Sequence, residues 1–156
     1  RIAALENSSL VSRKLATTRI VLCASPQYLA QHGTPQHPGE LANHAIISYS
    51  YRSAKDEWTF TGPQGPVSVK TKPCIHTNNG DTCRAAALAH QGVILQPTFL
   101  VGQDLANGTL VELMPDYRSE ELGIYAVYPT RKHVSAKVRA LIDFLAAHFA
   151  GRGPSW

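Results

Sequence analysis

The polar run Thr77-Asn78-Asn79-Gly80-Asp81-Thr82 is the part of this sequence best suited to chemistry. It stands where a short apolar strand, Cys74-Ile75-His76-Thr77, gives way to an Ala-rich helix. In α/β sheets ligands bind beyond the carboxyl ends of strands, where helix N-termini offer free N–H groups and partial positive charge. A small anion such as a carboxylate would suit that junction. The same residues also suit a purely structural task, because Asn79 or Asp81 can cap the helix. Both readings stand at this level.

Other reactive residue types form no constellation. His44, His76 and His90 are candidates for burial, and no HxxxH spacing offers a two-histidine metal site. Ser25 and Ser48 lie outside any GxSxG elbow. Cys83 falls in the first turn of the Ala-rich helix, where the dipole could lower a thiol pKa, but no positioned base can be named. Asp116, Glu120 and Glu121 read as solvated loop charges. Trp58 and Phe60, alternating with Thr59 and Thr61, read as core. No catalytic residue, metal or cofactor is therefore expected.

The elements that would position the polar run follow from local signals. The Ala-rich helix, Arg84 to His90, is expected to stop at Gly92, and a strand Val93-Ile94-Leu95 to be cut by Pro97. A second helix then ends at Asn107-Gly108, and a strand begins at Leu110. Gly92 and Gly108 are each expected to take the positive φ of a helix C-terminus. Upstream, Arg19 to Ala24 is a nearly all-apolar strand of the kind buried on both faces. Ser25 as N-cap and Pro26 in the first turn start a helix reaching about Gln31. Ala45–Tyr49 reads as a strand. Glu57–Thr61 and Val67–Lys70 read as an antiparallel hairpin with a long Gly/Pro loop, Gly62 to Pro66. Leu122–Tyr128 is a further strand closed by Pro129. Val134 to Phe149 is an amphipathic helix with Val134, Val138, Leu141, Ile142, Leu145 and Phe149 on one face, and residues 151–156 are expected to form a flexible tail. This alternation of strands and helices is that of an α/β domain.

Composition agrees. Across 156 residues, 44% hydrophobic and 17% charged residues describe a globular chain with room for a sizeable core. The longest apolar runs fall far short of the ~20 residues a spanning helix needs. The net charge of +4 is scattered over pairs such as Arg13/Lys14, Lys70/Lys72 and Arg131/Lys132. No basic stripe or helix-turn-helix accompanies it, so a solvated surface is the reading. Three cysteines, Cys23, Cys74 and Cys83, without CxxC spacing argue against a disulfide framework and for a reducing cytoplasm. No signal peptide pattern opens the chain.

Four blocks carry a family resemblance: Ala24-Ser25-Pro26-Gln27-Tyr28-Leu29, Gly92-Val93-Ile94-Leu95-Gln96-Pro97, Leu105-Ala106-Asn107-Gly108-Thr109-Leu110-Val111, and Tyr128-Pro129-Thr130-Arg131-Lys132-His133. In this order the chain resembles the effector-binding domain of LysR-type transcriptional regulators over nearly its whole length. The resemblance implies an α/β, periplasmic-binding-protein type II-like fold with two lobes joined by crossover strands and a small-molecule effector between them. It implies one complete lobe, residues 23–127 with the crossovers, plus a partial other lobe from residues 1–22 and 128–150. It points to Thr77, Asn78, Asn79, Val93, Gln96 and Pro97 as effector-binding residues, and to Cys23, Ala24, Tyr125 and Ala126 as the hinge. It further implies a small-molecule effector such as a carboxylate, self-association as dimer or tetramer, no membrane, and DNA contact only through an N-terminal helix-turn-helix domain that does not precede Arg1. A solute-binding protein of the same fold is the alternative.

Overall fold

The computed structural model describes residues 2–3, 11–51, 56–128 and 134–150. In chain order its elements are β1 (Ile2–Ala3), β2 (Val11–Ala24), α1 (Pro26–His32), a 3-10 turn (Pro38–Asn43), β3 (Ile46–Tyr49), β4 (Glu57–Gly62), β5 (Gly65–Lys70), β6 (Pro73–Thr77), α2 (Gly80–Leu88), β7 (Val93–Pro97), α3 (Thr98–Asn107), β8 (Val111–Glu112), β9 (Glu121–Tyr128) and α4 (Ala136–Phe149). The chain divides into two units, one of residues 1–19 with 121–156 and one of residues 20–120.

The larger unit is built on three parallel strands in the order β6-β3-β7, with the end of β2 and β8 added antiparallel. The expected all-apolar strand is the second half of β2, and Ile20 to Ala24 are all buried there. Val21, Cys23, Ile47 and Ile94 form its core with Cys83 and Ala87 of α2 and Val101 of α3. Burying each large aliphatic side chain contributes about 1.5–3 kcal/mol, which fixes both helices on this face. By strand alternation Leu22 and Leu95 turn to the opposite face. The hairpin β4–β5 brings Trp58, Phe60 and Val69 inward from its own alternating pattern, and all three are buried.

Local signals mostly act as the sequence implies. Ser25 Oγ accepts from Tyr28 N at 3.2 Å and starts α1. Gly108 ends α3 in the left-handed region at φ 74°. Two turns differ. After α2 the left-handed conformation falls to His90, at φ 63°, whereas the positive φ of Gly92, 157°, is nearly extended. Gly92 is required for space instead, because a Cβ there would lie 2.4 Å from the carbonyl oxygen of Ala45. That close approach lets Val93 N–H donate to the same oxygen at 2.9 Å, tying the start of β7 to β3. The hairpin loop is also shorter than expected. Gly65 takes φ 108°, so pairing continues to Gly62 and Gly65 and only Pro63-Gln64 remains in the turn.

In the smaller unit β9 lies between β1 and the first half of β2, antiparallel to both. The β2–β9 register slips between Lys14 and Ala16, a one-residue bulge. Ser135 caps α4, accepting from Val138 N at 3.3 Å. The expected apolar face of this helix is only partly used. Ile142 is buried, whereas Val138, Leu141 and Phe144 are 40%, 57% and 66% exposed. The final tail and the Pro129-to-His133 part of the last sequence block lie outside the described residues.

Candidate functional site

Parallel pairing of β6, β3 and β7 brings their carboxyl ends to one edge of the larger unit, where Tyr49 pairs with Thr77 and β7 ends at Pro97. The helices that follow β6 and β7 start at this edge. Thr77 closes its strand with two roles. Its carbonyl accepts from Ser50 N at 2.9 Å, and its Oγ1 accepts from Asn79 N at 3.1 Å. Asn79 in turn accepts from Thr82 N through Oδ1 at 3.1 Å. Asn79 is thus the cap of α2, and Asn78 and Asn79 are exposed.

Gln96 sits under the first turn of α2. It is 2% exposed. A Cβ on Gly80 would fall 3.3 Å from Gln96 Oε1 and 2.9 Å from Leu100 Cδ2, so the absence of a side chain at Gly80 is what lets the helix start rest on both. Burial pushes the Cys83 thiol up, and the neighbouring Gln96 amide draws it partly back. The Cys83 sulfur is too weak and too poorly placed to satisfy that amide, and Gln96 Nε2 is buried without an acceptor of hydrogen-bond geometry. An orphaned buried donor costs about 1–3 kcal/mol. Beside it α3 starts at Pro97, whose side chain has no atom to cap with, so no side chain closes that first turn. The edge therefore holds one capped helix start, one uncapped helix start and a free amide donor between them.

Thr77, Asn78, Asn79, Gln96 and Pro97 are brought together at this edge. Val93 is not, because it opens β7 at the other end, about 13 Å away at ~3.3 Å per residue. It is fully buried against Ile46. Of the hinge candidates, Cys23 and Ala24 are fully buried at the end of β2, paired with Ile94, Glu112 and Val111. Burial, with Asp104 and Glu112 adding, pushes the Cys23 thiol far up. Tyr125 and Ala126 lie in β9 opposite Lys14 and Arg13.

Side chains that sequence reasoning passed over stabilise the edge from behind. Arg84 of α2 grips Asp104 of α3 through Nε at 2.5 Å and Nη2 at 2.8 Å, with the Asp104 side chain 7% exposed. This two-point contact raises the Arg84 pKa further and locks the helices together. The three histidines also resolve. His76 is exposed, with Nδ1 3.8 Å from Asp56 Oδ1. His90 Nδ1 meets Ser25 Oγ at 2.8 Å, and His44 Nδ1 meets the Tyr28 hydroxyl at 3.1 Å. The Ser25 hydroxyl is buried and serves as the cap of α1. Among the described residues no group of His, Cys, Asp and Glu could hold a metal.

The LysR substrate binding domain family matches residues 1–150. The chain belongs to that family. Among curated relatives, the LysR-type chain is 34% identical over 149 residues to the transcriptional regulator DmlR of Escherichia coli, covering 95% of this chain and 48% of that protein. It is 34% identical to the regulator CrgA of Neisseria meningitidis, covering 93% and 48%. It thus spans about half the length of the curated relatives it matches. The solved CrgA regulatory domain superposes with a TM-score of 0.83 at 32% identity, over 95% of this chain and 74% of that one. Full-length AphB, the Vibrio cholerae virulence activator, gives 0.83 at 30%, over 96% and 50%. These relatives share the periplasmic-binding-protein type II-like fold, and this LysR-type domain is an effector-binding regulatory domain of that fold.

Proposed function

We propose that this LysR-type domain binds a small carboxylate at the edge made by Thr77, Asn78, Asn79, Gln96 and Pro97. The carrying observation is the buried, unpartnered Nε2 of Gln96 beside the uncapped start of α3. A carboxylate would accept from both, and the partial charge of the helix start would favour it. The domain acts by binding, with no reaction. Thr77 and the Asn79 cap hold the α2 start in place, while Val93 supports the edge from the core.

In the whole protein the effector biases a two-lobe arrangement, with residues 23–127 as one lobe and the strands around Cys23, Ala24, Tyr125 and Ala126 as the hinge. That bias reaches DNA through oligomeric contacts and a helix-turn-helix domain outside residues 1–156. The protein works in the cytoplasm, in keeping with its unpaired cysteines, Cys23, Cys74 and Cys83. The exposed Val138, Leu141 and Phe144 of α4 support self-association.

The test is thermal stabilisation of this chain against a panel of small aliphatic and aromatic carboxylates, each beside its amide analogue. A ligand at 100 times its Kd stabilises by about 2.7 kcal/mol. The reading requires at least one acid to stabilise the chain, its amide not to, and Gln96→Leu to remove the effect. Stabilisation that survives Gln96→Leu would place the ligand elsewhere.

A further inference from the structure

A second cavity lies on the far side of β7, between the hairpin and the segment leading into β9. Its volume is about 380 Å³, within the range of small-ligand pockets. Leu95 of β7 and Trp58 and Phe60 of β4 give it apolar walls, and Arg118, Glu120 and Glu57 give it charge.

The hydrogen-bond pattern of β4 adds a feature that volume alone does not. In the β4–β5 ladder the hairpin closes at Gly62 and Gly65, and Thr61 stands opposite Pro66. Pro66 has no N–H, and Thr61 directs its own groups away from β5. Thr61 N–H donates to Arg118 O at 2.8 Å, and Arg118 N–H donates to Thr61 O at 3.0 Å. Strand alternation then turns the N–H and C=O of Thr59 and Glu57 the same way, into the cavity. The 118–120 segment cannot meet them, because it leaves β4 after Arg118. The carbonyl of Glu120 instead accepts from Ile20 N at 3.3 Å. Among the described residues nothing takes the outward groups of Thr59. The cavity is a length of free strand edge, closed at one end by a two-bond bridge.

Its charges are ordered along that edge. Arg118 marks the closed end, and its guanidinium makes no ion pair among the described residues. Glu57 marks the open end and is exposed, with Lys70 across the ladder but no ion pair between them. Glu120 also lines the cavity. From Glu57 to Thr61 the edge runs about 13 Å at ~3.3 Å per residue. An extended tripeptide spans roughly 10 Å.

We propose that this edge binds a short linear peptide with free termini by strand addition. Its carboxylate lies at Arg118, its ammonium faces Glu57, and its main chain pairs with Thr59. Main-chain pairing supplies affinity that is indifferent to side chains, and the two charged ends select for length. The site uses none of the residues of the carboxylate edge and stands apart from that reading.

The experiment is a titration of the ¹⁵N-labelled chain with trialanine, followed by amide resonances. Free trialanine is expected to move Thr59 and Glu57 and to leave Gly80 and Gln96 in place. Trialanine acetylated and amidated at its ends should bind at least tenfold more weakly. Arg118→Gln, an exposed change that keeps the backbone bridge, should weaken free trialanine at least tenfold. Thr59→Pro, which removes an outward N–H that β5 does not use, should do the same. Resonances unmoved at millimolar peptide would overturn the proposal. So would equal binding of the capped peptide, an equal response to acetate, or movement of the same amides with protein concentration alone, which would assign the edge to a second copy.

Discussion

Gln96 is where stability and binding are set against each other. Its amide is buried with a donor that nothing accepts, so Gln96→Leu should raise the stability of the free domain by about 1 kcal/mol. On this size of protein that is a melting shift of about 2–4 °C. The same change should abolish carboxylate binding. A melt showing Gln96→Leu less stable than the parent would mean that the amide is satisfied in solution. His44 gives a second residue-scale prediction. Burial lowers its pKa, His32 adds to this, and Glu40 partly opposes it. In the unfolded chain a histidine titrates near 6.5, so below that pH the unfolded state binds a proton that the folded state resists. The contribution of His44 is therefore full above about 6.5 and is lost as pH falls toward its lowered folded pKa. The physical reason is local: the Tyr28 hydroxyl accepts from Ala45 N at 2.9 Å and can then donate to a neutral Nδ1 of His44. Urea titrations at pH 7.5 and 5.5 should show a smaller loss of stability on acidification in His44→Asn than in the parent.

At the scale of elements, the Arg84–Asp104 clamp and the Gly92 approach decide how well the edge is built. Arg84→Ala would leave a carboxylate that is 7% exposed without its cation. The expected cost is about 2–3 kcal/mol by urea denaturation. Arg84→Lys should recover only part, because a single ammonium cannot make both contacts. If Arg84→Ala costs less than about 0.5 kcal/mol, water replaces the guanidinium and the clamp does not hold α2 to α3. Gly92→Ala should separate β7 from β3, because its Cβ would meet backbone rather than a movable side chain. A loss above about 2 kcal/mol is expected, together with loss of slow hydrogen exchange at Val93. These elements were legible unevenly. The strand of β7, the cap at Ser25 and the stop at Gly108 each follow from a single residue type in a single place. The hairpin turn and the end of α2 did not, because Gly65 and His90 were each one of several residues able to take positive φ.

For the whole molecule, the relevant surface is α4. Val138, Leu141 and Phe144 lie at three-residue spacing and are all exposed, so one side of the helix presents apolar area to solvent. The domain should self-associate through it at tens of micromolar. Leu141→Glu with Phe144→Ser should return the monomer mass in light scattering while leaving the carboxylate titration unchanged. A parent that is already monomeric at those concentrations would remove α4 from consideration as an interface.

Sequence alone determined the class of this domain and its membership among LysR-type regulators, because short blocks such as Gly92 to Pro97 combine backbone requirements with strand and helix boundaries that few folds share. It also determined the polar junction at Thr77 to Thr82, since helix starts are announced by their caps. Only the tertiary structure decided what that junction faces. Gln96 reads in sequence as one polar residue after an apolar strand. Its burial, its missing partner and its contact with Gly80 arise because β7 and α2 are brought together by the pairing of β3 with both β6 and β7. The free edge at Thr59 is of the same kind. A strand's pattern tells which side chains are inside, but which of its two edges remains unpaired depends on where a distant segment, here Arg118 to Glu120, turns away.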